Sequence, residues 1–244
     1  MYINNIHVLY YFFIGLLGIA VGQFLDFANI RLEEHKKVIC KEFFTGYLKN
    51  MEINWKTIYI IPLIYVAFLY FNGFTLKFLE YIILTPMLIS AFIIDYRKQI
   101  IPNRLVLTIF EVAILFAVIF GLTSLNLLID KIFGMLAGAG IFLVITLIGG
   151  LIAGKEAMGF GDVKLMGALG LIFGLIPIVE ISIIAFLLAA IISLTLLATK
   201  KKKSDEYIPF GPFIVMATFI VMFVPSNLLI YILLKIFSLG TFKE

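Results

Sequence analysis

The chain has 244 residues, of which 63% are hydrophobic and only 14% charged, with a formal net charge of +4 and a mean hydropathy of +1.13. That composition excludes an ordinary soluble domain and a disordered segment, and it sets the class as a membrane protein. A balance of +4 carries no case for binding nucleic acid.

A helix rises about 1.5 Å per residue through a hydrocarbon core about 30 Å thick, so a crossing needs about 20 mostly apolar residues. By that measure the sequence predicts an all-α, polytopic membrane protein with about eight transmembrane helices. The first span runs from Val8 to Ile30. No basic segment precedes it and no small-residue cleavage pattern follows, so it reads as a retained span and not a removed signal peptide. The loop Arg31 to Lys56 follows, with His35 and Cys40, and Trp55 reads as an interfacial anchor at the start of the second span, Thr57 to Phe71. Leu76 to Asp95, Arg104 to Leu122 and Leu125 to Ile152 are the next three. The last three are Asp162 to Val179, Ile181 to Thr199 and Phe213 to Phe237.

Basic residues orient the chain. With the N-terminus outside, the inner connections carry fifteen of the nineteen Lys and Arg, and the outer positions Lys77, Lys131, Lys235 and Lys243 carry four. The positive-inside rule therefore favours an N-out, C-out arrangement, with Lys200 to Lys203 as a topology anchor beside anionic lipid. That topology brings Asp95, at the end of the third span, and Asp162, at the start of the sixth, into the same leaflet.

An acid at membrane depth costs roughly 2.5 to 3.5 kcal/mol on translocon scales, so two of them need a reason. Two carboxyls held about 3 Å apart share one proton; one can then activate water while the other polarises a carbonyl. Such a pair titrates as a unit, and neither residue takes a fixed role. Gly159 and Gly161 would let the backbone leave helical geometry beside Asp162 and let a substrate chain come close. By itself Gly-x-Gly-Asp reads more readily as a turn or a close helix contact. Other acids compete: Asp26 lies toward the cytoplasmic end of its span, Glu111 well inside the fourth, and Glu80, Asp130 and Glu180 near outer ends. Glu111 is expected to face the bundle interior or a water cavity. His7 and His35 have no ligand-spaced neighbours, so no metal site is expected.

The stretch Gly154-Lys155-Glu156-Ala157-Met158-Gly159-Phe160-Gly161-Asp162-Val163-Lys164-Leu165-Met166 resembles the signature of the type IV prepilin peptidases, the Gly-x-Gly-Asp membrane aspartyl proteases. Asp95-Tyr96-Arg97-Lys98-Gln99-Ile100-Ile101-Pro102-Asn103-Arg104-Leu105 is similar to their first aspartate motif, and Ile208-Pro209-Phe210-Gly211-Pro212-Phe213 to the segment leading into their last span. Presenilin-like proteases also carry Gly-x-Gly-Asp, but their Tyr-Asp order is reversed here as Asp95-Tyr96 and their Pro-Ala-Leu motif is missing.

The resemblance implies that Asp95 and Asp162 are the catalytic aspartates, with Gly159, Gly161 and Lys164 shaping the site. Lys164, two positions after Asp162, falls off the same helical face and reads first as a snorkelling lysine. Pro209, Phe210, Gly211 and Pro212 read as helix punctuation. Gly22-Gln23-Phe24-Leu25-Asp26-Phe27-Ala28-Asn29-Ile30-Arg31-Leu32 looks like the family's first span, with Asp26 where the family commonly shows Asn. Family members usually continue there into a cytoplasmic domain whose two Cys-x-x-Cys pairs bind zinc, and such members often methylate the new N-terminus with S-adenosylmethionine. Cys40 is the only cysteine and the loop has 26 residues, so no structural zinc site is expected.

The sequence thus divides into 1–56, the first span and a short cytoplasmic loop, and 57–244, a peptidase helical bundle. The implied protein is an aspartic endopeptidase of the inner, or plasma, membrane. It would cut the short basic leader from prepilin or pseudopilin precursors, with no cofactor for the cleavage. Methylation stays unsupported. Two other classes are a proton-coupled secondary transporter using Asp95, Glu111 or Asp162 as a relay, and an inert scaffold whose acids serve packing.

Overall fold

A computed structural model describes residues 2–4, 6–34, 36, 38, 55–153, 158–199 and 208–238. Cys40, His35, Lys155 and the Lys200 to Lys203 run lie outside them. Among the described residues, apart from a two-residue antiparallel pair, β1 (Tyr2–Ile3) with β2 (Ile6–His7), the regular elements are helices. They are α1 (Val8–Glu33), α2 (Trp55–Asn72), α3 (Leu76–Lys98), α4 (Asn103–Thr123), α5 (Leu125–Ala153), α6 (Phe160–Phe173), α7 (Leu175–Ala198), α8 (Gly211–Phe223) and α9 (Ser226–Phe237). The protein is a helical, polytopic membrane protein. Among the described residues five helices, α1, α3, α4, α5 and α7, are long and apolar enough to cross a bilayer, and α2, α8 and α9 are shorter apolar helices.

Two predicted spans are drawn differently by the backbone. The sixth was expected to continue to Val179, but α6 stops at Phe173 because Gly174 takes φ +87, a left-handed value open chiefly to glycine. A hydropathy ruler cannot see that break, since Gly174 sits inside an apolar run. The eighth is two helices, because Pro225 holds Val224 in extended backbone and starts α9 afresh. At 14, 13 and 12 residues, α6, α8 and α9 are each about 20 Å long, short of a full crossing.

The chain divides into two compact units, Met1–Ile94 and Asp95–Glu244. In the first, α1 packs on α2, and the Asp26 carboxylate accepts from the Thr57 hydroxyl at 2.7 Å, which ties this acid to helix packing. Pro86 lies inside α3 and has no N–H, so the carbonyl four residues earlier, that of Ile82, loses its helical donor. The buried Tyr65 hydroxyl replaces it at 2.8 Å. His7 caps the N-terminus of α1, its Nδ1 accepting from Leu9 N.

In the second unit α6 is the core. Nearly every residue from Asp162 to Ile172 is buried, and α4, α5 and α7 pack around it. The closest approach is between α5 and α6: a side chain at Gly134 or Gly170 would overlap the other helix's backbone. Small residues that let backbones touch are the means by which apolar helices associate where the surroundings are equally apolar. Glu111 departs from expectation. The buried face of α4 is set by Leu105, Ile109, Ala113 and Phe116, and residue 111 falls on the opposite side, exposed.

Candidate active site

Three helix ends converge in the second unit. The first is the last turn of α3, which carries Asp95. Gln99, at φ +57, ends this helix in the left-handed conformation typical of a C-terminal cap, and its N–H returns to the Asp95 carbonyl at 2.8 Å. Ile100 and Ile101 then lead to Pro102, whose extended backbone opens α4 at Asn103. The second is the start of α6, where Gly159 is the N-cap and Asp162 lies in the first turn, the favoured end of a helix for an anion. The third is the start of α8 at Gly211.

Asp95 and Asp162 are both buried, 3% and 4% exposed, and line one cavity of about 430 Å³. That volume lies in the range of small-ligand and substrate pockets. Gln99, Asn103 and Lys164 supply its other polar groups, and Ile100, Ile101, Met158 and Phe160 its apolar wall. The two acids are near enough for the Asp95 charge to act on Asp162. Asp95 Oδ2 accepts the Gly211 N–H at 2.9 Å. Asp162 Oδ1 is buried without a hydrogen-bond partner among the described residues. A buried oxygen left in that state costs about 1 to 3 kcal/mol. It is the atom at which a water or a substrate group would gain most.

The sequence-selected residues meet here with altered reasons. Gly159 has φ −69 and ψ 139, an ordinary extended cap, and Gly161 is helical, so neither serves an unusual backbone conformation. What Gly161 provides is room: a Cβ there would stand 3.2 Å from the Cβ of Ile101. Lys164 reaches the cavity despite its helical offset, because its long stem carries Nζ to Asn103 Oδ1 at 3.0 Å, joining α6 to the start of α4. In the sequence Gly211 reads as punctuation. Its amide touches one of the two acids, and a Cβ in its place would stand 2.6 Å from Asp95 Oδ2. The motif holding it was visible in the sequence, but nothing there showed that the backbone of that turn reaches a carboxylate.

The remaining acids stand elsewhere. Asp130 Oδ1 accepts from Leu175 N at 3.3 Å, and Glu180 Oε2 accepts from the Ser226 hydroxyl at 3.1 Å. Among the described residues no group of three or more His, Cys, Asp or Glu could hold a metal ion.

Residues 82–194, which include both aspartates and all of α6, match the type IV leader peptidase family. This stretch is thus similar to a type IV leader peptidase domain. Curated relatives are named prepilin leader peptidase/N-methyltransferase. The Aeromonas hydrophila protein is 30% identical over 141 residues, covering 58% of this chain and 48% of the relative. The Pseudomonas aeruginosa protein is 32% identical over 152 residues, 62% of this chain and 51% of the relative. The Legionella pneumophila protein is 26% identical over 266 aligned positions, 87% of this chain and 91% of the relative. The match thus spans about half the length of the first two relatives and nearly all of the third. No solved structure matches the chain. Asp95, Asn103, Asp162 and Lys164 lie within the matched stretch, whereas Gly211 lies beyond it.

Proposed function

We propose that this chain is a membrane aspartyl endopeptidase that removes the short basic leader of type IV prepilin-like precursors at the cytoplasmic face of the inner membrane. The observation that carries the reading is the burial of two carboxyl groups, from separate motifs, in one cavity of a leader peptidase domain. Two such groups share a proton. One carboxylate draws a proton from water as it attacks the scissile carbonyl, and the protonated partner hydrogen-bonds the carbonyl oxygen. Collapse of the tetrahedral intermediate breaks the C–N bond, and the proton taken from water passes to the leaving amine. The apolar wall of Ile101, Met158 and Phe160 suits the start of an apolar substrate helix.

The cytoplasmic placement rests on the distribution of Lys and Arg, which favours an outside N-terminus and so an inward-facing cavity. The proposal covers peptide cleavage. The relatives are also named N-methyltransferases, and methyl transfer lies outside the proposal. Co-expression with a prepilin-like precursor tests both. The mass and N-terminal sequence of the processed product report the cut site and any methyl group together. An unprocessed precursor beside membrane-inserted wild-type protein would sink the reading.

A further inference from the structure

We infer that the Phe210-Gly211 corner is a positioning device for this reaction: the Gly211 amide holds the Asp95 carboxyl, and the Phe210 ring holds the amide. The catalytic part of the inference rests on the peptidase reading above; the contact itself does not.

The N-terminal amides of α8 can be accounted for one by one. The first N–H groups of a helix have no acceptor within it. Pro212 has no N–H, and Phe213 and Ile214 donate back to the Phe210 carbonyl at 3.0 and 3.2 Å. The Gly211 N–H points out of the helix instead, into Asp95 Oδ2 at 2.9 Å. Asp95 comes from a separate helix end, so a free aspartate there would have its χ1 and χ2 rotamers to choose from. A buried, charge-assisted hydrogen bond selects one of them.

Space makes the same selection. A Cβ at position 211 would lie 2.6 Å from Asp95 Oδ2, 3.0 Å from Cγ and 3.2 Å from Cβ, so the whole carboxyl lies against the bare face of the glycine. The φ angle at Gly211 is not positive, so the requirement is close approach and not backbone freedom. Any larger residue must push the carboxyl off the amide.

What keeps the amide in place is the residue before it. The Phe210 ring lies 5.7 Å from that of Phe142 on α5 and 5.0 Å from that of Phe186 on α7, and it meets Phe213 of its own helix at 5.9 Å. Phe142 is fully buried. Ring contacts at these separations give an anchor with specific geometry, so α5 and α7 together determine where α8 begins. Gly211 and Phe210 therefore act through Asp95 and are positioning residues. A helix cap with no role in the reaction would change stability and leave the turnover of folded enzyme alone.

Two measurements decide the matter. In detergent, with glycine labelled by nitrogen-15, the Gly211 amide proton resonance, assigned by its loss in Gly211→Ala, is expected to move upfield in Asp95→Ala and to stay in Gly140→Ala. A Cβ at Gly140 meets nothing within 4 Å, which makes it the control. In leader cleavage, Gly211→Ala should lower kcat by about 100-fold with KM changed less than about two-fold, because a misplaced reacting group costs turnover and not binding. Phe210→Ala should move kcat the same way by about ten-fold, and Gly140→Ala should not move it. Wild-type kcat in Gly211→Ala overturns the inference, as does a Gly211 resonance indifferent to Asp95. If Gly211→Ala fails to accumulate, the kcat of Phe210→Ala decides instead, and a wild-type value there overturns the inference. Cleavage that survives Asp95→Asn sinks the peptidase dyad, while a Gly211 resonance that moves in Asp95→Ala supports the contact by itself.

Discussion

The two ends of α6 use the same small device for different purposes. At one end Asp95 accepts the N–H of Gly211 at the start of α8; at the other Asp130 accepts the N–H of Leu175 at the start of α7. In each case an aspartate from one helix meets the electropositive N-terminus of another. At the Asp130 end the carboxylate is exposed, and its neighbour Lys131 donates to the Ile172 carbonyl at the C-terminus of α6 while lying 4.8 Å over the Phe120 ring. Anion at a helix start and cation at a helix end satisfy both sides of the Gly174 break, and the arrangement is complete. At the Asp95 end the carboxyl is buried, a second acid shares its cavity and one oxygen of that acid has no partner among the described residues. The difference teaches that an aspartate at a helix terminus becomes a candidate for chemistry through what is left unsatisfied around it.

That contrast can be broken most sharply at the acids themselves. Asp95→Asn and Asp162→Asn should each cut leader removal by about 10³-fold or more, with the protein still accumulating in membranes, as read from the ratio of precursor to product on co-expression. Normal processing by either variant would make the two ends of α6 equivalent. Lys164→Met, which removes the bond to Asn103, should slow cleavage by about ten-fold while the protein stays folded. A wild-type rate would return Lys164 to the role of a snorkelling lysine. Gly174→Ala strains a left-handed φ and drives a Cβ onto Asp130, so it should lower stability in detergent by about 1 to 3 kcal/mol, seen as a reduced unfolding temperature. Asp130→Asn keeps an acceptor and should lose about 1 kcal/mol or less. Its cleavage rate should match the wild type; a large loss of activity there would tie the far end of α6 to the chemistry.

Composition and a length ruler were enough to make the chain a helical membrane protein, because a long apolar run has few other stable solutions. They were not enough to place the breaks at Gly174 and Val224, since each depends on one residue's backbone preference inside an apolar run. Charge counting put Asp95 and Asp162 in one leaflet, and motif resemblance singled them out from Asp26, Glu111 and Asp130. Glu111 was misjudged because rarity in a span does not say which way a helix turns its faces. The roles of the glycines were partly legible. Gly-x-Gly before Asp162 reads by itself as a turn or a close contact, and the partner of Gly161 in that contact, Ile101, needed the neighbouring loop.

By itself the sequence determined the class of protein and the family resemblance and offered a candidate pair of acids, because those follow from hydropathy, charge and local pattern along the chain. Only the tertiary structure decided that Gly211 meets Asp95, that Lys164 meets Asn103 and that Tyr65 serves the carbonyl left open by Pro86. Each of these joins residues from different helices through a backbone atom or a side-chain tip. Such partners are chosen by how helices pack, and no local pattern in the chain encodes them.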